Sequence, residues 1–118
     1  MPTIGGQIAQ VRPSDTDTQQ VFTAVIGTDI SRVFVCNTTS TAARFRVFHR
    51  TATGDPDATN ALWYDQEVAG NTSYLGSEQM KILMRQGDRL FVRSDTANAL
   101  TFSFYGNTAI PPPSRDLR

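Results

Sequence analysis

The sequence predicts an all-β protein, an antiparallel two-sheet β-sandwich with jelly-roll-like topology. Short β-rich runs alternate with clusters of Gly, Asn, Asp and Thr about every ten residues, which is typical of a sandwich or barrel. Helical periodicity is not sustained over eleven or more residues anywhere in the chain. A length of 118 residues with 39% hydrophobic content allows one cored domain without metal or disulfide support. We expect this domain to span residues 1–106.

The first three of eight predicted strands each end at a turn former. Pro13 and the polar segment SDTDTQQ follow the first strand, and Gly27 ends the second. The segment NTTST follows the third. These strands are predicted at residues 7–11, 21–26 and 30–37.

The fourth strand, ARFRVFHR at residues 43–50, alternates with a period of two. Apolar Phe45 and Val47 point to one face, and three arginines point to the other: Arg44, Arg46 and Arg50. We expect the arginine side to dock onto another protein. Arginines interleaved with aromatics can also bind single-stranded nucleic acid, but the net charge of zero argues against a nucleic-acid partner.

The second half of the chain continues the same alternation of strand and turn. Turn-forming segments separate the runs: TATGDPDATN, AGN, RQGD and DTANA. The run MKILM, residues 80–84, fits either a short helical turn or an extended segment. The remaining strands are predicted at residues 61–68, 72–77, 89–94 and 100–106.

Aromatic residues of the fifth strand alternate between its faces. Trp63 and Tyr64 point to opposite sides, so one ring is expected in the core and the other nearer the surface. Core or subunit packing is the expected role of these rings. If Trp63 or Tyr74 instead formed an exposed groove, it would favour glycan binding.

Composition excludes several function classes. The net charge of zero removes the electrostatic argument for anionic membranes, and no apolar run approaches the length of a membrane span. The first ten residues lack the layout of a signal peptide, so we expect synthesis in the cytoplasm. The single cysteine, Cys36, is predicted to be a buried thiol in a strand. Ten of the eleven basic residues are arginine, which suits protein interfaces or reflects genome composition.

No catalytic or cofactor constellation is visible in the sequence, and we expect no enzyme, no metal and no cofactor. The single histidine, His49, lies in phase with core residues, which favours a hydrogen-bonded structural role over that of a catalytic base. Two Asp-x-Asp pairs and two Asn-x-Ser/Thr sites are interpreted as turn formers rather than calcium ligands or glycosylation sites. They are Asp15 with Asp17, Asp55 with Asp57, Asn37 and Asn71.

Three segments resemble small virion proteins of tailed bacteriophages. They are ISRVFVCNTTSTAARFRVFHR, ALWYDQEVAGNTSYLG and QGDRLFVRSDTANALTFSFYG, which together cover most of residues 28–106. The resemblance implies a β-sandwich structural protein that binds a protein lattice, either as a capsid decoration (cement) subunit or as a part of the tail or neck. We expect a decoration subunit that binds the major capsid protein on the virion exterior as a homo-oligomer, expected to be a trimer. The alternative is a tail, neck or fibre-associated protein with a receptor- or glycan-binding face.

The chain ends are predicted to be extended arms, at residues 1–6 and 107–118. The C-terminal sequence NTAIPPPSRDLR contains three consecutive prolines, which cannot donate to a sheet and favour an extended chain. We expect this arm to lie along a partner, with its arginines paired to acidic groups there. The arm residues predicted to contact a partner are Pro2, Ile4, Ile110, Pro111, Pro112, Pro113, Arg115 and Arg118.

Overall fold

The computed structural model describes residues 3–76 and 81–109. Within these ranges the chain forms nine strands and one short 3-10 helix, Ala58–Asn60. The strands are β1 (Thr3–Val11), β2 (Gln19–Thr23), β3 (Thr28–Asn37), β4 (Ala43–Arg50), β5 (Ala61–Val68), β6 (Ser73–Leu75), β7 (Ile82–Met84), β8 (Arg89–Ser94) and β9 (Leu100–Ala109). In the described part of the chain, no helix is long and apolar enough to cross a membrane.

The strands form two antiparallel sheets packed face to face, which confirms the predicted sandwich. Sheet A has the order β1-β9-β3-β6, with β7 also paired to β3. Sheet B has the order β2-β8-β4-β5. Because side chains alternate across each strand, each sheet directs one apolar face inward.

The pairing between strands is nested, as in a long hairpin that has been rolled up. Strand β1 pairs with β9, β2 with β8, β3 with both β6 and β7, and β4 with β5. Successive pairs alternate between the sheets, and the tip of the hairpin is the connection between β4 and β5. This is the topology of a jelly roll.

The core lies between the inner faces of the sheets and is built around three phenylalanines. Phe45 of sheet B and both Phe102 and Phe104 of sheet A are almost completely buried. The rings of Phe45 and Phe102 meet edge to face, with their centroids 5.6 Å apart. Burial of each aromatic side chain contributes about 1.5–3 kcal/mol of transfer free energy, so these rings are a principal source of stability.

Strand bounds agree with the sequence most closely where turn-forming segments flank both ends of the strand. Strands β4, β5 and β8 have the predicted bounds. Residues 82–84 of the ambiguous run MKILM are extended as β7, while Met80 lies outside the described residues. The second strand was predicted to run to residue 26, but it ends at Thr23, because the Ala24 amide donates to the Asp88 carbonyl instead of a strand partner.

The predicted boundaries of the two arms were wrong at their inner ends. Residues 3–6 and 107–109 lie in β1 and β9, where Thr3 pairs with Ala109 and Ile4 with Thr108. The ladder between the strands supplies their backbone partners. On its other side, β9 approaches β3 closely at Gly106, where a Cβ would overlap the Asp29 carbonyl oxygen. The described domain therefore extends from residue 3 to residue 109.

Candidate protein-interaction site

The arginines predicted on β4 belong to a larger group on the outer face of sheet B. Strand β8 places Arg93 opposite Arg46 and Arg89 opposite Arg50. We call this group the arginine face; its members are Arg44, Arg46, Arg50, Arg89 and Arg93. The strand register confirms that Arg44, Arg46 and Arg50 share the side of β4 opposite to the core, since their neighbours Phe45 and Val47 are buried.

Arg46 is held by two residues of β5. A bulge places both Tyr64 and Asp65 opposite Arg46, and Asp65 has a positive φ of 56°. The guanidinium Nε and Nη2 donate to the Asp65 carboxylate at 2.7 and 3.1 Å, and the guanidinium lies 3.9 Å from the centre of the Tyr64 ring. The hydrogen bond from Arg46 lowers the pKa of Asp65 and correspondingly raises the pKa of Arg46.

The other members of the arginine face donate to Glu67 or to loop carbonyls of the same chain. Arg44 pairs with the Glu67 carboxylate at 3.0 Å, although both side chains are half exposed. Arg89 donates to the carbonyls of Thr51 and Gly54. Arg50 donates to the Thr53 carbonyl and Arg93 to the Thr16 carbonyl, at 3.1 and 3.0 Å.

These bonds give the arginine face a role within its own chain. Arg93 holds the loop before β2 against sheet B, and Arg50 and Arg89 hold the loop before β5. Phe48 and Phe91, paired across β4 and β8, are 3% and 8% exposed although they lie on the outer face. The outer side of sheet B is thus covered around Phe48 and Phe91, whereas Leu62 and Tyr64 of β5 remain 45% and 50% exposed.

His49 forms a hydrogen-bonded pair with Asp88. The His49 Nε2 atom lies 2.9 Å from an Asp88 carboxylate oxygen, which also accepts from the Arg85 amide at 3.0 Å. Burial of Asp88 acts to raise its pKa, but the hydrogen bonds from Arg85 and His49 outweigh it and lower the pKa. The pair fixes the turn before β8 against β4, in accord with the predicted structural histidine. The sequence did not reveal Asp88 as its partner, because the two residues are 39 positions apart.

Trp63 and Tyr74 are bonded to each other rather than arranged as a binding groove. The Trp63 Nε1 atom donates to the Tyr74 hydroxyl at 2.8 Å, and both rings pack on Phe45. Tyr64, on the opposite side of β5, is 50% exposed. The prediction that one ring enters the core and the other lies nearer the surface is confirmed.

The predicted turn residues have local partners. Asp15 accepts from the Asp17 amide, and Asp57 accepts from Thr59 at the start of the 3-10 helix, which lowers the pKa of Asp57. The buried Asn37 side chain donates to the carbonyls of Thr41 and Val68.

Two further residue predictions concern Asn71 and Cys36. Asn71 has a φ of 57°, a left-handed conformation that asparagine tolerates in turns. The burial predicted for Cys36 was wrong, since it is only half-buried. The alternation that directs Val35 to the core turns Cys36 to the outer face of sheet A.

Metal chemistry depends on groups of ligands that converge on one point. Within residues 3–76 and 81–109, no three His, Cys, Asp or Glu side chains are grouped so that they could hold a metal ion. The His49–Asp88 pair has no third ligand of this kind.

The first and last described residues, Thr3 and Ala109, lie at one corner of sheet A, which we call the terminal corner. Thr3 and Ala109 are cross-strand neighbours there, and Thr108 also pairs with Thr28 of β3. A shallow open groove of about 480 Å³ lies at this corner. Its lining includes Thr28, Asp29, Leu83, Arg85, Asn107 and Ala109.

The remaining predicted contact residues adjoin the terminal corner in sequence. Ile4 lies in β1 and pairs with Thr108. Pro2 precedes Thr3, and Ile110 follows Ala109. Pro2 and the C-terminal group lie outside the described residues; that group comprises Ile110, Pro111, Pro112, Pro113, Arg115 and Arg118.

Comparison with known proteins offers no independent guide to function. No protein-family model, curated protein or solved structure matches the chain.

Proposed function

We propose that the protein is a non-enzymatic structural component of a bacteriophage virion, a capsid decoration (cement) protein. It binds the exterior of the major capsid protein shell and stabilises it. The observation that carries the proposal is the pairing of Thr3 with Ala109, which brings both chain ends to the terminal corner. Two arms leaving one corner can engage the same site on a shell. The partner, the major capsid protein, is inferred from the resemblance of residues 28–106 to phage virion proteins.

The composition of the C-terminal segment suits a role as an anchor. Residues 110–118 comprise an isoleucine, three prolines and two arginines among nine positions. Ordering a backbone costs about 1–2 kcal/mol per residue, but proline lowers this cost because its φ is already restricted. In an extended polyproline geometry nine residues span roughly 28 Å, enough to reach well beyond the domain edge.

The arginines of the arginine face bond to partners within their own chain. We therefore place the proposed contact with the shell at the chain ends. Arg46 is paired with Asp65 and stacked on Tyr64, so its release would cost both contacts. Arg115 and Arg118 are the better candidates for pairing with acidic groups on the shell. Bidentate pairing of arginine with a carboxylate stabilises such a contact and also fixes its geometry.

The alternative role, a tail, neck or fibre component with a glycan-binding face, receives less support. Such a face needs aromatic rings that are free to stack on sugars. Trp63 and Tyr74 instead pack on Phe45, and Tyr64 is occupied by Arg46. Counting copies per particle by quantitative mass spectrometry separates the roles, because decoration requires hundreds of copies and a neck or tail position only a few.

Truncation after Ala109 tests the anchor directly. This cut removes residues 110–118 but keeps all of β9, so the domain should unfold at the same temperature as the full chain. Affinity for expanded shells of the cognate capsid protein is expected to fall about tenfold or more, as for the loss of a multi-residue contact. A truncated protein that saturates shells with unchanged affinity would exclude the C-terminal segment as an anchor.

A further inference from the structure

One of the large apolar side chains that the described structure leaves exposed lies in a groove. These side chains are Val25, Leu62, Tyr64, Leu75 and Leu83, and of these Leu83 lines the groove at the terminal corner. Strand β7 fixes Leu83 in this position, because both of its neighbours are buried in the core and side chains alternate along a strand. Single apolar side chains on an open surface are normal, but one that lines a concave site can be covered by a partner.

The groove also contains a cation whose side chain has no partner. Arg85 lies two positions after Leu83, and its side chain is exposed. Arg12 and all five members of the arginine face donate from their guanidinium groups to acceptors of their own chain. Within residues 3–76 and 81–109, by contrast, the Arg85 guanidinium forms neither a hydrogen bond nor a salt bridge. It is therefore available to an anionic group of a partner.

The backbone that carries Leu83 and Arg85 is held in place by the rest of the domain. Leu83 is the cross-strand neighbour of Asp29 in β3. The Arg85 amide donates to the Asp88 carboxylate and the Arg85 carbonyl accepts from the Asp88 amide, each at 3.0 Å. A partner would therefore gain contacts with both side chains without the entropy cost of ordering their backbone.

Asp29 is the acidic residue of the groove lining. The Asn107 side-chain amide donates to one Asp29 carboxylate oxygen at 3.5 Å. The other oxygen of a carboxylate can still accept a backbone N–H from a bound segment. A partner therefore meets an acceptor at Asp29, an apolar surface at Leu83 and a cation at Arg85.

The position of the groove indicates which partner occupies it. Ala109 also lines the groove, and residues 110–118, the proposed anchor, follow it directly. A surface that the anchor engages therefore lies within roughly 28 Å of the groove. Arg115 and Arg118 of the anchor carry the same charge as Arg85, so one acidic partner suits all three. Position and charge thus favour the shell as the occupant.

We propose that the groove at the terminal corner binds an extended acidic segment of the major capsid protein. Alternate side chains of an extended segment point to the same side and lie roughly 7 Å apart, which matches the two-position spacing of Leu83 and Arg85. An aliphatic side chain of the segment packs on Leu83, and a carboxylate two positions along pairs with Arg85. This inference rests on the proposed function, because the shell supplies the occupant, and it adds a contact of the folded domain to that of the anchor.

Substitutions of the two exposed groove residues are the main test. Leu83→Ser and Arg85→Gln should leave the urea midpoint of the free full-length protein unchanged, since both side chains are exposed. Each should weaken binding to expanded shells of the cognate capsid protein about tenfold, measured by titrating shells and counting bound copies. Leu75→Ser is the matched apolar control, because Leu75 is 61% exposed on the same sheet but does not line the groove. Lys81→Gln is the matched charge control, since four extended residues place it roughly 13 Å from Arg85, beyond the screening length in physiological salt.

A cross-link identifies the occupant. In a Cys36→Ser background, Leu83→Cys labelled with a photoreactive maleimide should cross-link to the capsid protein on shells, and Leu75→Cys should not. Mass spectrometry of the cross-linked peptide should find Asp or Glu within two positions of an aliphatic residue. A cross-linked peptide without an acidic residue would contradict the proposed chemistry of the segment.

The wild type and the chain truncated after Ala109 are measured on the same shells, so that the two proposals can be told apart. If the wild type does not bind shells, the proposed function fails and the groove contact fails with it. If the wild type binds and both groove variants bind equally tightly, the groove is excluded while the anchor is judged by the truncated chain alone. Controls that weaken binding as much as the groove variants would also exclude the groove as the site.

Discussion

The outer faces of the two sheets are built from the same alternating strands, yet their aromatic residues are covered to different extents. On sheet B, Phe48 is only 3% exposed although it lies on the outer face, whereas Phe34 of sheet A is only half-buried. On sheet A, Leu75 and Leu83 are 61% and 67% exposed. The comparison shows that arginines on an outer face can bond to loops of their own chain. On sheet A, the exposed Leu83 lines the groove at the terminal corner.

The two outer faces differ in the positions of the hydrogen-bond acceptors that their side chains can reach. Carbonyls of the loops before β2 and β5 reach the arginines of sheet B, and the bulge in β5 brings the Asp65 carboxylate to Arg46. The outer side of sheet A instead carries mainly neutral side chains. Phe34 and Tyr105 meet edge to face there, and both remain only half-buried.

Truncation of matched phenylalanines should give the largest contrast between the two faces. Phe48→Ala removes a buried ring from sheet B and should lower the free energy of unfolding by about 3 kcal/mol. Phe34→Ala removes a half-buried ring from sheet A and should cost roughly half as much, since less apolar area returns to water. Urea denaturation of both variants measures the difference. Equal losses would mean that sheet A is covered as fully as sheet B.

The second-largest effect on stability is expected at the turn before β8, where Asp88 bonds to His49 of β4. Asp88→Asn weakens the bonds to His49 and the Arg85 amide and should cost about 1–3 kcal/mol in urea denaturation at neutral pH. A lowered pKa means that this stabilisation is present above the ordinary aspartate value of about 3.9 and is lost as pH falls through the lowered pKa.

The stability of the wild type should therefore fall more steeply on acidification than that of Asp88→Asn. Urea midpoints measured from neutral to strongly acidic pH test this expectation. Asp57 and Asp65 also have lowered pKa values, so the variant should retain part of the acid dependence. Parallel curves for the two proteins would show that Asp88 makes no pH-linked contribution.

The sequence predicted those features that depend on local patterns. The bounds of β4, β5 and β8 follow from the turn-forming segments that flank them, and the burial of Phe45 and Val47 follows from the alternation within β4. The turn roles of Asp57 and Asn37 follow from their capacity to bond nearby backbone groups. These interactions span only a few positions, so they can be recognised without a fold.

Features that depend on distant pairing could not be predicted in the same way. Gly5-Gly6 and Asn107 resemble loop residues by composition, but β1 and β9 extend through them because each strand supplies the other with hydrogen-bond partners. The register that brings Asp65 to Arg46 depends on a bulge. The alternation of β4 therefore placed its arginines on one face correctly, while their partners within the chain could not be recognised from the sequence.

A smaller contrast is expected within the arginine face itself. Arg46→Lys loses the planar stack on Tyr64 and the two-point contact with Asp65, and should lower the free energy of unfolding by about 1 kcal/mol. Arg44→Lys keeps a charge near an exposed Glu67 and should change it by less than about 0.5 kcal/mol. Thermal denaturation of both variants at low and high salt measures the contrast. Equal effects would place Arg44 and Arg46 in the same structural role.

The smallest effect is expected on sheet A. Leu83→Ser replaces a side chain that is 67% exposed, so the free energy of unfolding should change by less than about 0.5 kcal/mol in urea denaturation. Leu90→Ser, at a fully buried position of β8, is the matched control and should cost several times more. A large loss for Leu83→Ser in the isolated protein would mean that a further part of the chain covers this leucine. The terminal corner would then be occupied by the protein itself, and its groove would have to be vacated before a shell could bind there.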